Sequence, residues 1–364
     1  MDKDRNVYSL HMKTKSSLYI MSFGLMAFLI YCCHQDDTPR PLKFTAYAGN
    51  PVLSPGAPGE DDLFVALPYV VKHESIFYLF YLGVKRNNIA TAMLATSTDG
   101  YHFTKFEGNP VLAPDGKGYD AFGVGAQVVI WQDSLWVMYF NAIETATWGP
   151  CKYIGRATAT ALTGPWTKDD KPVLTGGKMG EWDDEYVFPG SIIQSDDGVY
   201  RMYYTGGADF AGSQHQYMGM AMSIDGINWK KYNDPATTQR PFADSDPVLK
   251  TGKPGDWDDL QIWTNHVFRS SAGYEMYYGG FTTTQKVHVG ALGYAFSQDG
   301  ISWEKYSGNP VYTIDYDREA DNLVEVTFEG PSLIFLDTLC LMYYDYGIIG
   351  EIRNQIGVAT ARLK

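Results

Sequence analysis

The chain repeats one outline five times, and the fullest copy runs from Gly180 to Tyr232. Each copy opens on a Pro-Val-Leu segment, passes through a Trp-Asp pair into an apolar run, and continues as an aromatic stretch of the type Tyr-x-Met-Tyr-Tyr. A Gly-Ala-small segment follows, and the copy closes on Asp-Gly-Ile-x-Trp. The openings stand at Asn50-Pro51-Val52-Leu53, Asn109-Pro110-Val111-Leu112, Pro172-Val173-Leu174, Asp246-Pro247-Val248-Leu249 and Asn309-Pro310-Val311-Tyr312. A long fixed period of this kind marks stacked or radial units, each of which buries its apolar face only against its neighbours.

Every copy divides into four short strands. In the third these are Val187–Ile193, Val199–Thr205, Tyr217–Ser223 and a last strand carrying Trp229 after Asp225-Gly226, a two-residue hairpin signal. The aromatic second strand recurs as Phe77 to Tyr81, Leu135 to Tyr139, Tyr200 to Tyr204, Tyr274 to Tyr278 and Leu341 to Tyr344. No stretch longer than a turn has helical periodicity, which excludes a helical solenoid. The chain stops after the third strand of the fifth copy, and residues 42–47 are placed to lend the missing fourth. The pattern predicts an all-β fold, a five-bladed β-propeller of four-stranded antiparallel blades over residues 45–364. Its blades are expected at about 49–108, 109–170, 171–234, 246–308 and 309–364, the last closed by 42–47.

With 45% hydrophobic and 15% aromatic residues, 364 residues can bury a large core, which excludes disorder for most of the length. The net charge of −13 argues against nucleic acid and anionic membrane as partners, because both need clustered Lys and Arg. A neutral carbohydrate is the partner such a surface accommodates, and the oligomeric state stays open. Residues 1–33 read as an export signal, with Lys13 and Lys15 ahead of an apolar run from Leu18 to Tyr31 that is short for a spanning helix. Cys33 ends that run and precedes a polar tether over 34–44, as at a bacterial lipoprotein site. The expectation is a periplasmic or cell-surface lipoprotein whose only membrane contact is a lipid on Cys33. Cys151 and Cys340 alone remain beyond it, and they are read as unbridged. No Cys or His spacing suggests a zinc site.

In a propeller the first strands line the axis, so the residues at their starts converge on one funnel. Asp61, Asp120, Asp183 and Asp258 recur there in four copies, and a recurring Asp is first a turn-capping feature of the blade. Acidic groups that do not recur are better candidates for chemistry: Glu185 with its neighbour Asp184, and Glu329 in Glu329-Gly330-Pro331. His266, after Asn265, is unique among the first strands and reads as a core or ligand-contacting imidazole. Two long loops, Asn141–Cys151 and Gly206–Gln216, supply Trp148, His215 and Gln216 as candidate substrate contacts.

Taken together, the Asn-Pro-Val-Leu, Trp-Asp, Gly-x-Ala-x-Ser and Asp-Gly-Ile-x-Trp motifs resemble the arabinanase, levansucrase and invertase superfamily. The nearest likeness is to family 43 glycoside hydrolases, with the family 130 mannoside phosphorylases related. The resemblance covers the whole repeat region and implies an inverting hydrolase of arabinan- or xylan-type glycans. It implies a general base at Asp61 or Asp62, a tuning Asp at Asp120, and a general acid at Glu185, with Asp184 competing. The first blade departs from it, reading Val65-Ala66-Leu67-Pro68 where the family often has an acidic residue before the proline. The family-like Glu-Gly-Pro stands in the fifth copy, at Glu329, instead of the third. No cofactor is required, although the resemblance implies a calcium ion in the central channel; no oxygen-ligand loop for one stands in the sequence. A phosphorylase would need clustered cations, and the first strands offer only His266, with Lys85-Arg86 nearby. A glycan-binding propeller without catalysis is the alternative.

Overall fold

The computed structural model describes residues 39–57, 59, 61–145, 150–210, 213–282, 288–313, 325–348 and 354–363. Within these, side chains at 126–127, 209–210, 213–214, 288–289, 325–329 and 348 are not described. The export signal, Cys33 and Trp148 lie outside the described residues, as does the side chain of Glu329. Among the described residues no helix is long and apolar enough to cross a membrane.

The strands group into five antiparallel blades, and the fold is a β-propeller. Blade 1 comprises Phe64–His73, Ile76–Val84, Ala90–Ser97 and Thr104–Lys105, and blade 2 comprises Gly123–Gln132, Leu135–Ile143, Tyr153–Ala159 and Thr167–Lys168. Blade 3 is Tyr186–Gln194, Tyr200–Phe210, Ser213–Ser223 and Lys230–Lys231; blade 4 is Gln261–Ser270, Gly273–Thr282, His288–Ser297 and Glu304–Lys305. Blade 5 takes Glu325–Phe335, Leu339–Ile348 and Gln355–Arg362 from the C-terminal end, and Thr45–Ala46 as its outer strand. The register there is Thr45↔Thr360 and Ala46↔Ala359, so the two ends of the propeller are paired within one blade.

Each sequence signature has a mechanical counterpart. The Asn-Pro-Val-Leu opening bridges to the third strand of the preceding blade, with Leu53 on Ile356, Leu112 on Ala92 and Tyr312 on Leu292. Its Asn clamps that strand: Asn109 Oδ1 accepts the Leu94 N–H at 2.8 Å while its Nδ2 donates to the Leu94 carbonyl at 2.8 Å. Asn309 does the same to Tyr294. The Asp-Gly turns are longer than a two-residue hairpin, since the third strand of blade 3 ends at Ser223 and the fourth begins at Lys230. Asp225 Oδ1 accepts the N–H groups of Ile227 and Asn228 at 2.9 and 2.8 Å, which folds the segment into an Asx turn.

Those turns also join the blades. Tyr139, Tyr203 and Tyr343, one residue before the last aromatic of the second-strand motif, donate their hydroxyls to the Gly226, Gly300 and Gly100 carbonyls of the next blade. The segment read as a long loop over Gly206–Gln216 is mostly strand, with Ala208 opposite His215 and Phe210 opposite Ser213. Its glycines permit this. A Cβ on Gly206 would lie 2.6 Å from the Trp182 ring, and one on Gly207 would lie 2.8 Å from the Gln216 side chain.

Candidate functional site

All five first strands break register at one level. The breaks fall between Ala66 and Tyr69, Gly125 and Gln127, Pro189 and Ser191, Ile262 and Asn265, and Glu329 and Ser332. The bulges of blades 1, 3, 4 and 5 line an axial cavity of about 20 Å³, room for about one water, through Leu67, Pro189, Asn265 and Gly330 among others. On the side where the first strands begin, the channel opens into a pocket of about 300 Å³. Blades 1 and 2 give it an aliphatic wall through Leu67, Leu82 and Ile143, and blades 3 and 4 give it an aromatic wall through Tyr186, Phe188 and Trp263. Tyr186 and Phe188 stack at 6.4 Å between centroids, and Phe188 meets Trp263 at 4.9 Å. Phe64, Asn141, Cys151 and Asn354 complete the polar and apolar lining together with Ala66 and Gly125.

Two lining residues from opposite sides carry polar atoms that are buried beneath the pocket surface without a hydrogen-bond partner among the described residues, the acceptor Asn141 Oδ1 in blade 2 and the donor Trp263 Nε1 in blade 4. Burial pushes the Cys151 thiol up to about 11, a weak contact with the Asn141 amide offsetting part of that, so the thiol stays protonated at neutral pH. Behind the wall lies a carboxylate that sequence reasoning missed. Asp345, fully buried on the second strand of blade 5, accepts the Leu67 N–H at 2.9 Å and the Asn354 Nδ2 at 3.3 Å. Burial raises its pKa to about 7, against the lowering effect of those hydrogen bonds. Leu67 is held in the left-handed region at φ 52. Gly330 is required beside it, because its φ is 69 and a Cβ there would meet the Asp345 carboxylate at 2.7 Å.

The recurring aspartates are occupied within their own blades. Asp61 accepts Lys105 Nζ at 2.6 Å, the Tyr81 hydroxyl at 2.9 Å and the Gly56 N–H at 2.7 Å. Asp120 pairs with Lys168 at 2.5 Å, Asp183 with Lys231 at 2.6 Å and Tyr204 at 3.0 Å, and Asp258 with Lys305 at 2.6 Å and Tyr278 at 3.0 Å. All four carboxylates are buried. Asp61, Asp183 and Asp258 thus tie the entry to the first strand to the second and fourth strands of their blades, and Asp120, where Phe140 replaces the tyrosine, ties it to the fourth, which is more than a turn cap. The signal was present in the sequence: a lysine stands two residues after the closing aromatic at Phe103, Trp166, Trp229 and Trp303.

The other candidates are dispersed. Asp62 pairs with Arg86 Nε at 3.1 Å and accepts the Arg86 N–H; partial burial works against its charge, and these bonds outweigh it, holding the carboxyl below its usual value. Asp184 accepts the Gly180 N–H at 2.6 Å inside a turn, a geometry that Asp259 repeats with Gly255. Glu185 directly precedes the pocket residue Tyr186, and its main-chain N–H donates to Gly207. Glu329 lies at the blade 5 bulge with its backbone opposite Asp345. His215 Nδ1 meets the Tyr217 hydroxyl at 3.2 Å, and Gln216 bridges to Gln261 of the next blade. Asn265 lines the narrow axial cavity. His266 faces blade 5, where its Nδ1 accepts the Leu333 N–H at 3.3 Å, and burial lowers its pKa to about 4. Cys151 and Cys340 are buried thiols that form no disulfide.

The axial cavity is a poor host for calcium. Among its described lining only Tyr69, Thr264 and Asn265 bring side-chain oxygens, none of them a carboxylate, and no described cluster of three or more His, Cys, Asp or Glu could hold a metal. That set falls short of the six to eight oxygens the ion takes.

No protein-family model and no curated protein matches the sequence. Solved structures do match the fold. A glycoside hydrolase superposes with a TM-score of 0.70 at 17% identity, over 89% of this chain and 93% of that one. A thermostable family-43 glycoside hydrolase gives 0.62 at 21% identity, over 86% and 92%. A family 117 glycoside hydrolase of the marine bacterium Zobellia galactanivorans gives 0.60 at 15% identity, over 88% and 90%. The chain therefore has the fold of the propeller glycoside hydrolases.

Proposed function

We propose that the protein is an exported glycosidase, anchored by a lipid on Cys33, that cleaves a neutral glycan in the funnel between its first strands. The observation that carries this is the 300 Å³ pocket where those strands converge, with an aromatic wall for a sugar face. The fold shared with glycoside hydrolases supports it. In an inverting cleavage one carboxylic acid protonates the leaving oxygen as the glycosidic C–O bond breaks. A carboxylate on the opposite side, roughly 6.5–9.5 Å away, takes a proton from the water that bonds to the anomeric carbon. Glu185, beside Tyr186, and Glu329, on the bulge of blade 5, are the carboxylates we assign to these roles. Asp61 and Asp120 are left out, because their ion pairs with Lys105 and Lys168 hold them inside the blades.

The test is sugar release from arabinans, xylans, mannans and nitrophenyl glycosides, with and without phosphate, by the wild type, Glu185→Gln and Glu329→Gln. Loss in both variants is expected, and activity retained in both would overturn the assignment. A second reading, a glycan-binding propeller without catalysis, is favoured by Leu67, which stands where the family 43 pattern places an acidic residue. It predicts glycan binding with no release from any substrate.

A further inference from the structure

Resting on the proposed glycan site, we infer that the pocket takes a single terminal sugar ring that carries a methyl group in place of a hydroxymethyl, that is, a 6-deoxy sugar. Three observations point there. Leu67 lines both the pocket and the adjoining axial cavity, and that cavity, at about 20 Å³, is too narrow for a second ring. At about 300 Å³ it is at the small end of ligand pockets, so one ring fills it and the rest of a glycan must leave through the mouth. Cleavage is then from a chain end.

The second observation is the division of its walls. Tyr186 and Phe188 lie nearly parallel, at 16°, and Trp263 is tilted by 50° to Phe188, an aromatic wall that offers ring faces to the apolar face of a pyranose. Leu67, Leu82 and Ile143 face it from blades 1 and 2 and belong to one apolar cluster with Ala66 and Cys151. A hydroxymethyl directed at that cluster would be buried without a hydrogen-bond partner, whereas a methyl is buried at a gain.

The third is the polar complement. Asn141, Asn354 and Trp263 are the lining residues with polar side-chain groups beside Cys151 and Tyr186, and Asn141 Oδ1 and Trp263 Nε1 lie buried beneath the pocket surface. The described lining carries no charged side chain to meet a carboxylate or phosphate, which suits a neutral sugar.

Calorimetric titration of the full chain tests this with free sugars differing only at C6: L-fucose against L-galactose, L-rhamnose against L-mannose, D-fucose against D-galactose. L-arabinose and D-glucuronate complete the panel. At least one 6-deoxy sugar is expected to bind about 10- to 100-fold more tightly than its hydroxylated partner, the range an apolar pocket achieves against an added hydroxyl. It should also exceed arabinose, and glucuronate should not compete. Trp263→Ala, which removes part of the aromatic wall, should weaken binding about tenfold, and Ile143→Ser should shrink the C6 discrimination. Equal binding of the paired sugars, tighter binding of arabinose, or no binding by any of them overturns the inference. Nitrophenyl 6-deoxyglycosides separate it from the catalytic reading. Selective binding without turnover leaves the pocket assignment standing and removes the hydrolase, whereas turnover of hexosides or internal cleavage of a polymer does the reverse.

Discussion

Oδ1 of Asp345 accepts the main-chain N–H of Leu67 at 2.9 Å, so a carboxylate of blade 5 holds the blade 1 bulge that floors the pocket. The contact crosses the seam between the two ends of the propeller. Folded Asp345 keeps its proton up to about pH 7, while in the unfolded chain it titrates near the ordinary value for Asp of about 4. Between those values the folded state binds more protons, and its stability falls as pH rises through that window. The effect is on the order of a few kcal/mol. Urea midpoints should decline from pH 4.5 to 7.5, and Asp345→Asn, which cannot ionise, should remove most of the decline. A slope unchanged in the variant would assign the titration to another group.

The aspartate–lysine pairs predict a second stability effect, with a built-in control. Lys231 Nζ lies 2.6 Å from Asp183, whose side chain is fully buried, while Lys178 and Asp244 pair at 2.8 Å with the lysine 76% exposed. Lys231→Met leaves a buried carboxylate without its cation and should cost about 3–5 kcal/mol in urea unfolding. Lys178→Met should leave the midpoint unchanged, because solvent screens the exposed pair. Equal effects would mean that the buried pair does not hold the blade together.

The repeat made the blades legible because the blade-level contacts recur from copy to copy. Asn109, Asp225 and Tyr203 each serve the same geometry in several copies, so spacing alone exposes them. The pocket is different: it is built where the copies diverge. Leu82, Asn141, Thr205 and Asp345 each follow the last aromatic of a second-strand motif, and no periodic pattern says which will carry a carboxylate. Asp345 sits in Tyr343-Tyr344-Asp345 and reads as an ordinary edge residue until the fold brings it under Leu67. The recurring aspartates misled in the opposite direction, because convergence at the first strands was expected of residues whose side chains turn back toward the fourth.

The Tyr ties between blades give a third prediction. Tyr343 is fully buried and donates to the Gly100 carbonyl at 2.8 Å, joining blade 5 to blade 1. Tyr343→Phe keeps the ring, with its edge contact to Phe103 at 5.8 Å, and leaves the carbonyl unpaired. The expected loss is about 1–3 kcal/mol without change in secondary structure by circular dichroism. Tyr203→Phe, which breaks the same tie between blades 3 and 4, should cost a similar amount. A markedly smaller loss at Tyr343 would show that the seam is held by the outer strand alone.

That outer strand can be removed directly. Residues 39–49 contribute Thr45 and Ala46 to the ladder, the Leu42 N–H to the Tyr277 hydroxyl at 2.7 Å, and the Phe44 ring, which packs at 5.7 Å on Tyr277 and 6.4 Å on Tyr312. A protein beginning at Asn50 keeps every other blade strand but bares the edge of Gln355–Arg362 and the aromatic surface beneath it. An open edge beside exposed aromatic groups is a template for association. The shortened protein should therefore elute as dimers and larger species in size-exclusion chromatography and be cut by protease within blade 5 before the other blades. A monomer with wild-type protease resistance would show that the ring closes without its N-terminal strand. Addition of a peptide spanning residues 39–49 separates loss of the strand from general misfolding, because only the former is repaired by it.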